Sequence, residues 1–331
     1  MKKLIVILGF CFSLGISYAQ DYHFSQFHSS PLTLNPAMTG FMLGKYRIGA
    51  NYRNQWGSIK SKYETYSGSF DMNFMKCKWR RDYFGVGLVF AGDKAGDLAM
   101  KTTHMGLSFA YAKGFGSRVK HSIAVGFQGN FYLRGINLTN AIYPDNIDES
   151  ASINNSYIMI DVGAGLLWHA QLADRLNMYA GVSVLHINQP YNSFFKDKNS
   201  KLPIKYVASA GALVELGNKW NLIPSVLFAK QGQSMQGMVG TYVQFIIGDD
   251  LFSETAVAIG AWGRFSRPVT DAFIVGARAD IKNVLIGLTY DINVSDLKNA
   301  SSGRGAFEAS AQYIIPANCQ KKSKGLICPK F

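Results

Sequence analysis

The chain has 331 residues, of which 48% are hydrophobic and only 17% charged, with a mean hydropathy of +0.02 and a formal net charge of +13. Glycine supplies 33 positions, aromatics 13% and proline only nine. This composition excludes a disordered chain, a collagen-like repeat and a coiled coil, and fits a β-protein that does not face water everywhere.

The first element is a processing segment. Lys2 and Lys3 precede an apolar run from Leu4 to Ile16, and Ser17-Tyr18-Ala19 has the small-x-small form of a cleavage site. Residues 1–19 therefore read as a signal peptide, and the mature chain begins at Gln20 with a net charge of +11. Phe10 stands where a lipoprotein needs a small residue before Cys11. Residues 20–45 are too apolar for a free tail and are expected to fold inward as a plug.

From residue 46 onward the dominant signal is a period of two. Tyr46, Ile48, Ala50 and Tyr52 alternate with Arg47, Gly49, Asn51 and Arg53. Phe84, Val86, Leu88 and Phe90 alternate around Gly85 and Gly87; Ile158, Ile160, Val162 and Leu166 alternate with Asp161, Gly163 and Gly165. Strands are predicted over 46–55, 63–74, 83–92, 101–113, 119–135, 157–169, 177–187, 204–216, 220–231, 234–247, 253–264, 270–281, 284–294 and 305–314. Most are longer than the ~5–6 residues of soluble sheets and match the ~9–11 of a tilted spanning strand. No later stretch is apolar enough for a spanning helix.

The connections alternate in length. Residues 136–156, 188–203 and 295–304 are long; 170–176, 217–219, 248–252 and 282–283 are short. Outer-membrane barrels have short periplasmic turns and longer outer loops, so this parity predicts an even-stranded antiparallel barrel with both termini in the periplasm. Trp56, Trp79, Trp168, Trp220 and Trp262 fall near predicted strand ends, where interfacial aromatics belong. The fold class is thus all-β, a transmembrane antiparallel barrel of about 14 strands spanning 46–314, with a periplasmic tail over 315–331. A soluble β-sandwich also alternates, but strand length, low charge and loop parity count against it.

Parity points Arg47, Arg53, Asp71, Arg134, Asp161, Arg278, Asp280, Asp291 and Glu308 into the lumen, where both signs either line a hydrated pore or pair to pack a closed interior. It points Ile160 and Val125 to lipid and Gly163 inward. No catalytic motif, phosphate-binding loop or metal-ligand spacing appears, so no enzyme activity, cofactor or metal is expected. Cys77, Cys319 and Cys328 follow the leader; the last two either close a short loop or stay free. Basic runs such as Lys321 to Lys324 suit membrane-flanking turns, lipid phosphates or acidic partners, but not nucleic acid in an exported barrel.

Three segments carry a resemblance. The first is Gln20-Asp21-Tyr22-His23-Phe24-Ser25-Gln26-Phe27, followed by Leu34-Asn35-Pro36-Ala37-Met38-Thr39-Gly40 and Tyr52-Arg53-Asn54-Gln55-Trp56. The second is Tyr179 to Pro190, ending His186-Ile187-Asn188-Gln189-Pro190; the third is Ile286 to Leu297, containing Tyr290, Asp291, Ser295 and Leu297, with Gly305-Ala306-Phe307-Glu308 and a final Cys-Pro-Lys-Phe. In order and spacing these resemble the PorP/SprF family of type IX secretion and gliding outer-membrane proteins. The resemblance implies a non-enzymatic barrel that helps export or anchor a large surface protein or adhesin, recognised through its type IX C-terminal domain. Some members instead belong to the core machinery and contact its periplasmic ring, and the sequence does not separate the two roles. A porin or hydrophobic-solute transporter is the alternative that the fold alone allows.

A partner surface is expected on the long connections: acidic Asp145, Asp148 and Glu149, basic Lys196, Lys198 and Lys201, and Tyr191, Phe194 and Phe195. These aromatics either meet a partner or fold back over the barrel mouth.

Overall fold

The computed structural model describes residues 21–55, 63–75, 82–96, 100–116, 120–137, 155–195, 197–248, 255–266, 269–294 and 303–316. Fourteen strands follow in order: β1 Tyr46–Gln55, β2 Tyr63–Phe74, β3 Asp82–Ala95, β4 Met100–Phe115, β5 His121–Gly135, β6 Ser156–Ala173, β7 Leu176–Leu185, β8 Lys205–Glu215, β9 Trp220–Gln231, β10 Ser234–Gly248, β11 Thr255–Ser266, β12 Val269–Ile281, β13 Val284–Asn293 and β14 Arg304–Ile315. Each pairs antiparallel with its chain neighbours, and β14 returns to β1 with Tyr46 opposite Ile315 and Gln55 opposite Ala306. The sheet is a closed barrel, which leaves it without a free edge strand.

The pleat sorts the side chains. Along β4, Thr102, His104, Ser108, Ala110 and Ala112 are buried, whereas Met105, Leu107, Phe109 and Tyr111 are exposed. The apolar face is the outer one and the polar face the inner one, the inverse of a soluble sheet and the arrangement hydrocarbon requires. Pro224 lies in mid-strand on β9. The β8–β9 pairing is interrupted between Gly211–Ser225 and Val214–Leu222, beside Pro224, which has no N–H to give the ladder, and resumes in the same register.

We call the end where β1 begins and β14 finishes the near end. Short connections such as 174–175 and 282–283 lie there; 186–204 and the chain between β5 and β6 lie at the far end. Residues 21–45 occupy the lumen. They run from the far end, where the Asp21 backbone N–H reaches Gln231, to the near end, where the Lys45 N–H bonds Ile315 O. The strand termini therefore share one end as expected, but the chain ahead of β1 starts at the opposite one.

This inner segment folds as three 3-10 turns, Phe27–Ser29, Pro31–Thr33 and Pro36–Met38. Pro31 and Pro36 open the second and third, where a missing N–H costs nothing. Asn35 is extended, as a residue before proline prefers, and its side chain accepts from the Ala37 N–H at 2.9 Å. Two apolar clusters hold the turns. Phe27 packs among Val207, Leu227, Met238, Tyr242, Trp262 and Ile274. Ala37, Met38 and Phe41 pack on Tyr83, Ala112, Ala124, Leu167 and Tyr179.

Trp262 departs from its predicted place at a strand end. It is 2% exposed inside β11, stacked on His28 at 6.1 Å and edge-on to Tyr242 at 4.5 Å. Its indole fills the lumen because the inner segment brings it an aromatic partner. Trp56 and Trp79 lie outside the described residues.

Candidate functional site

The lumen is the site the fold builds. Two wall glycines let the inner segment come to backbone contact. A Cβ on Gly126 would lie 2.3 Å from Ala37 N, and one on Gly85 would lie 2.2 Å from Thr39 O. Beside the segment remain cavities of about 40 and 50 Å³, near the volume of one or two waters.

Ions clamp the segment at both ends. At the far end Arg53 bridges Asp291 at 2.9 Å and Glu308 at 3.0 Å, and Arg264 joins Asp291 at 2.6 Å and also pairs Asp271. Glu308 accepts the backbone N–H groups of Ser25 and Gln26, both at 2.8 Å, and the Ser25 hydroxyl donates to Asp291. At the near end Arg47 grips Asp71 through two bonds of 2.8 and 2.9 Å, and Asp71 accepts the Gly40 N–H at 2.7 Å. Planar guanidinium against carboxylate is the strong form of such a bond. The opposed lumenal charges thus pair rather than line a hydrated pore.

A third anchor sits at the far rim. His186 follows β7 with φ at 59°, and its Nε2 lies 2.7 Å from Asp21. Its Nδ1 lies 3.1 Å from Asp161, an ion-pair distance whose angle falls short of a hydrogen bond. Lys205 reaches Asp21 at 3.3 Å. Burial disfavours the imidazolium, but Asp21 and Asp161 outweigh it and the pKa of His186 is raised to about 9. Burial likewise opposes the Asp21 carboxylate; Lys205 and His186 prevail and hold its pKa well below the usual range.

The other family-motif residues divide by place. The Asn35 amide donates to Leu166 O at 3.0 Å and Val182 O at 3.3 Å, tying the inner segment to β6 and β7, and Pro36 opens the turn behind it. Asn188 replaces a strand: its amide donates to Ile160 O at 2.8 Å and accepts from Val162 N at 3.2 Å, covering the edge of β6 where β7 has stopped. Gln189, with φ at 45°, turns back to His186 O, and Pro190 O accepts from the Leu202 N–H. Asn54 bonds the Tyr52 hydroxyl, Gln55 lies 3.5 Å from Arg53, and Tyr290 points outward. Trp56, Ser295 and Leu297 lie outside the described residues.

In the far-end connection, Tyr191 and Phe195 are exposed, whereas Phe194 packs edge-on to Tyr157 at 4.8 Å and so takes the folded-back place. Tyr191 is bridged to Lys201. Asn192 accepts from Arg134 and Tyr157, which fastens the loop over the mouth. Asp145, Asp148, Glu149 and Lys196 lie outside the described residues. Arg264, Asp271 and Lys205 are members of the clamps that sequence reasoning did not single out, and Asp21, Ser25 and Gln26 entered it only within the first resembling segment, with no role assigned. Strand parity would have found Arg264; Asp271 meets it across the β11–β12 pair, and the others depend on where the inner segment runs.

A family model described as "Type IX secretion system membrane protein PorP/SprF" matches residues 16–313. No curated protein matches the sequence. Among solved structures, the toluene transporter TbuX of Ralstonia pickettii aligns with 10% identity and a TM-score of 0.53, over 87% of this chain and 94% of that one. A deltaS2 mutant of the monoaromatic hydrocarbon channel TodX aligns with 10% identity and a TM-score of 0.54, over 88% and 94%. At such identity these likenesses show a shared barrel fold and nothing about cargo.

Proposed function

Because the chain belongs to the PorP/SprF family of type IX secretion system membrane proteins and is an outer-membrane β-barrel, we propose that it serves as a closed, non-enzymatic platform rather than a conduit. Its partner is a large exported surface protein or adhesin, held at the far end by the connections 136–156, 188–203 and 295–304. In this reading the far end faces the cell exterior and the near end faces the periplasmic part of the secretion machinery.

The filled lumen carries this reading. Among the described residues, the cavities beside a segment clamped by buried ion pairs are only 40–50 Å³, too small to pass a folded or unfolded chain. The exposed Tyr191 and Phe195 beside Lys198 and Lys201 supply the aromatic and charged character of a protein contact. Phe194 supports them from beneath through Tyr157. The hydrocarbon-transporter reading rests on fold similarity alone, and the filled lumen disfavours it.

Replacing Tyr191, Phe194 and Phe195 together by Ser tests the platform. The expected result is a barrel that still assembles in the outer membrane but retains at most a tenth of the surface protein on co-purification, since interface aromatics carry a few kcal/mol. Unchanged co-purification moves recognition to the near end, where the basic tail Lys321 to Lys324 is the next candidate.

A further inference from the structure

We propose that the outer wall over β2–β6 holds one phosphate-bearing lipid, its acyl chain in a groove and its phosphate on Lys94 and Lys101. The groove is about 700 Å³ in volume and opens on the outward face. Gly68 and Gly129 form its floor; a Cβ on either meets nothing within 4 Å. Leu88, Phe90, Met105 and Phe131, all exposed, form its sides.

Four residues farther along β3 and β4 toward the far end, Lys94 stands directly opposite Lys101. Both are exposed and outward-facing, and neither has an ion-pair partner among the described residues. Like charges directly across a ladder destabilise it. Glu64, opposite Lys94 on β2, leaves this row with a net positive charge; Asp97 of the turn lies outside the described residues. An anion between the lysines removes the repulsion.

The spacing identifies the anion's body. Four residues at roughly 3.3 Å each set the groove about 13 Å below the lysines, the length of a ten- to twelve-carbon chain. Between them lie Gly92 and Thr103, with the Tyr66 ring lying over Gly92 as an apolar surface for the chain. A free phosphate has no use for the groove, and a neutral lipid has none for the lysines. Lipid A in the leaflet at the far end has both parts. The inference rests on the outer-membrane location and on the outward orientation of the far end proposed above, but not on the choice of protein partner, so it stands or falls apart from the co-purification experiment.

Native mass spectrometry of the full mature chain from nanodiscs containing bisphosphorylated lipid A among zwitterionic phospholipid tests the site. The wild type is expected to keep one lipid A after the other lipids are stripped. Retention falls about tenfold in K94Q/K101Q, which removes the charge, and likewise in G129L, which fills the groove with both lysines intact. The wild type also loses retention about tenfold with lipid A lacking its phosphates, a comparison that needs no variant to fold, and inorganic phosphate alone is not carried. Equal retention of phosphorylated and dephosphorylated lipid A, or by the wild type and both variants, overturns the proposal.

Discussion

Glu308 is fully buried and accepts two backbone N–H groups of the inner segment while pairing Arg53. Removing one partner of a buried ion pair leaves an uncompensated charge and costs about 3–5 kcal/mol. Glu308→Ala is therefore expected to lower the unfolding free energy in detergent by that amount and to expose the chain around Ser25 to protease; a loss under 1 kcal/mol would remove the clamp from the account. His186 gives a pH dependence. Its folded pKa, about 9, lies above its ordinary 6.5. Its contribution is thus fully present below pH 6.5 and is lost as pH rises through about 9, on the order of 3 kcal/mol in all. The wild type should lose thermal stability between pH 7 and pH 10, and His186→Gln should flatten that part of the profile; parallel profiles would contradict the assignment. The identities of Arg53, Asp71, Asp161, Asp291 and Glu308 as lumenal residues were legible because parity alone assigns a face. Their partners were not, since Arg53 meets Asp291 and Glu308 only through closure of the barrel, more than 200 residues along the chain.

At the scale of elements, all fourteen strands were readable because hydrocarbon outside and a polar lumen inside impose one period throughout. The exception is instructive. Trp262 has the size and spacing of a belt residue, yet it points inward to His28, a contact that depends on the path of the inner segment and not on the strand's own pattern. Gly163 shows the same lesson. It faces inward as its parity says, but a Cβ there would lie 2.7 Å from Leu185 in a lumen already filled. Ile160 is 69% exposed on the outer wall. Ile160→Arg is expected to cost about 2–4 kcal/mol if placed at mid-membrane, and Gly163→Arg, which parity directs into the lumen, should be comparably damaging through overpacking. Gly126→Leu tests the inner contact alone. Its new side chain meets the backbone of Pro36 and Ala37, so it should release residues 21–45 to proteolysis while the strands stay in the membrane. Protease resistance equal to the wild type would show that the segment tolerates the intrusion.

For the whole molecule, the barrel and its inner segment form one unit closed by charge at both ends and by aromatic packing between them. That the segment would plug the lumen followed from its apolar character; that it enters from the far end did not, because only the position of Asp21 beside His186, Lys205 and Gln231 shows it. The central claim is that this barrel is shut by its own N-terminal chain and works through its surface. Single-channel recording in planar bilayers tests it most directly, comparing the mature chain with a variant lacking residues 21–43. The intact protein is expected to show no stable conductance, and the deletion to open steady, water-filled steps. Steady conductance of the intact protein, unchanged by the deletion, would contradict the account and return the barrel to the diffusion-pore class.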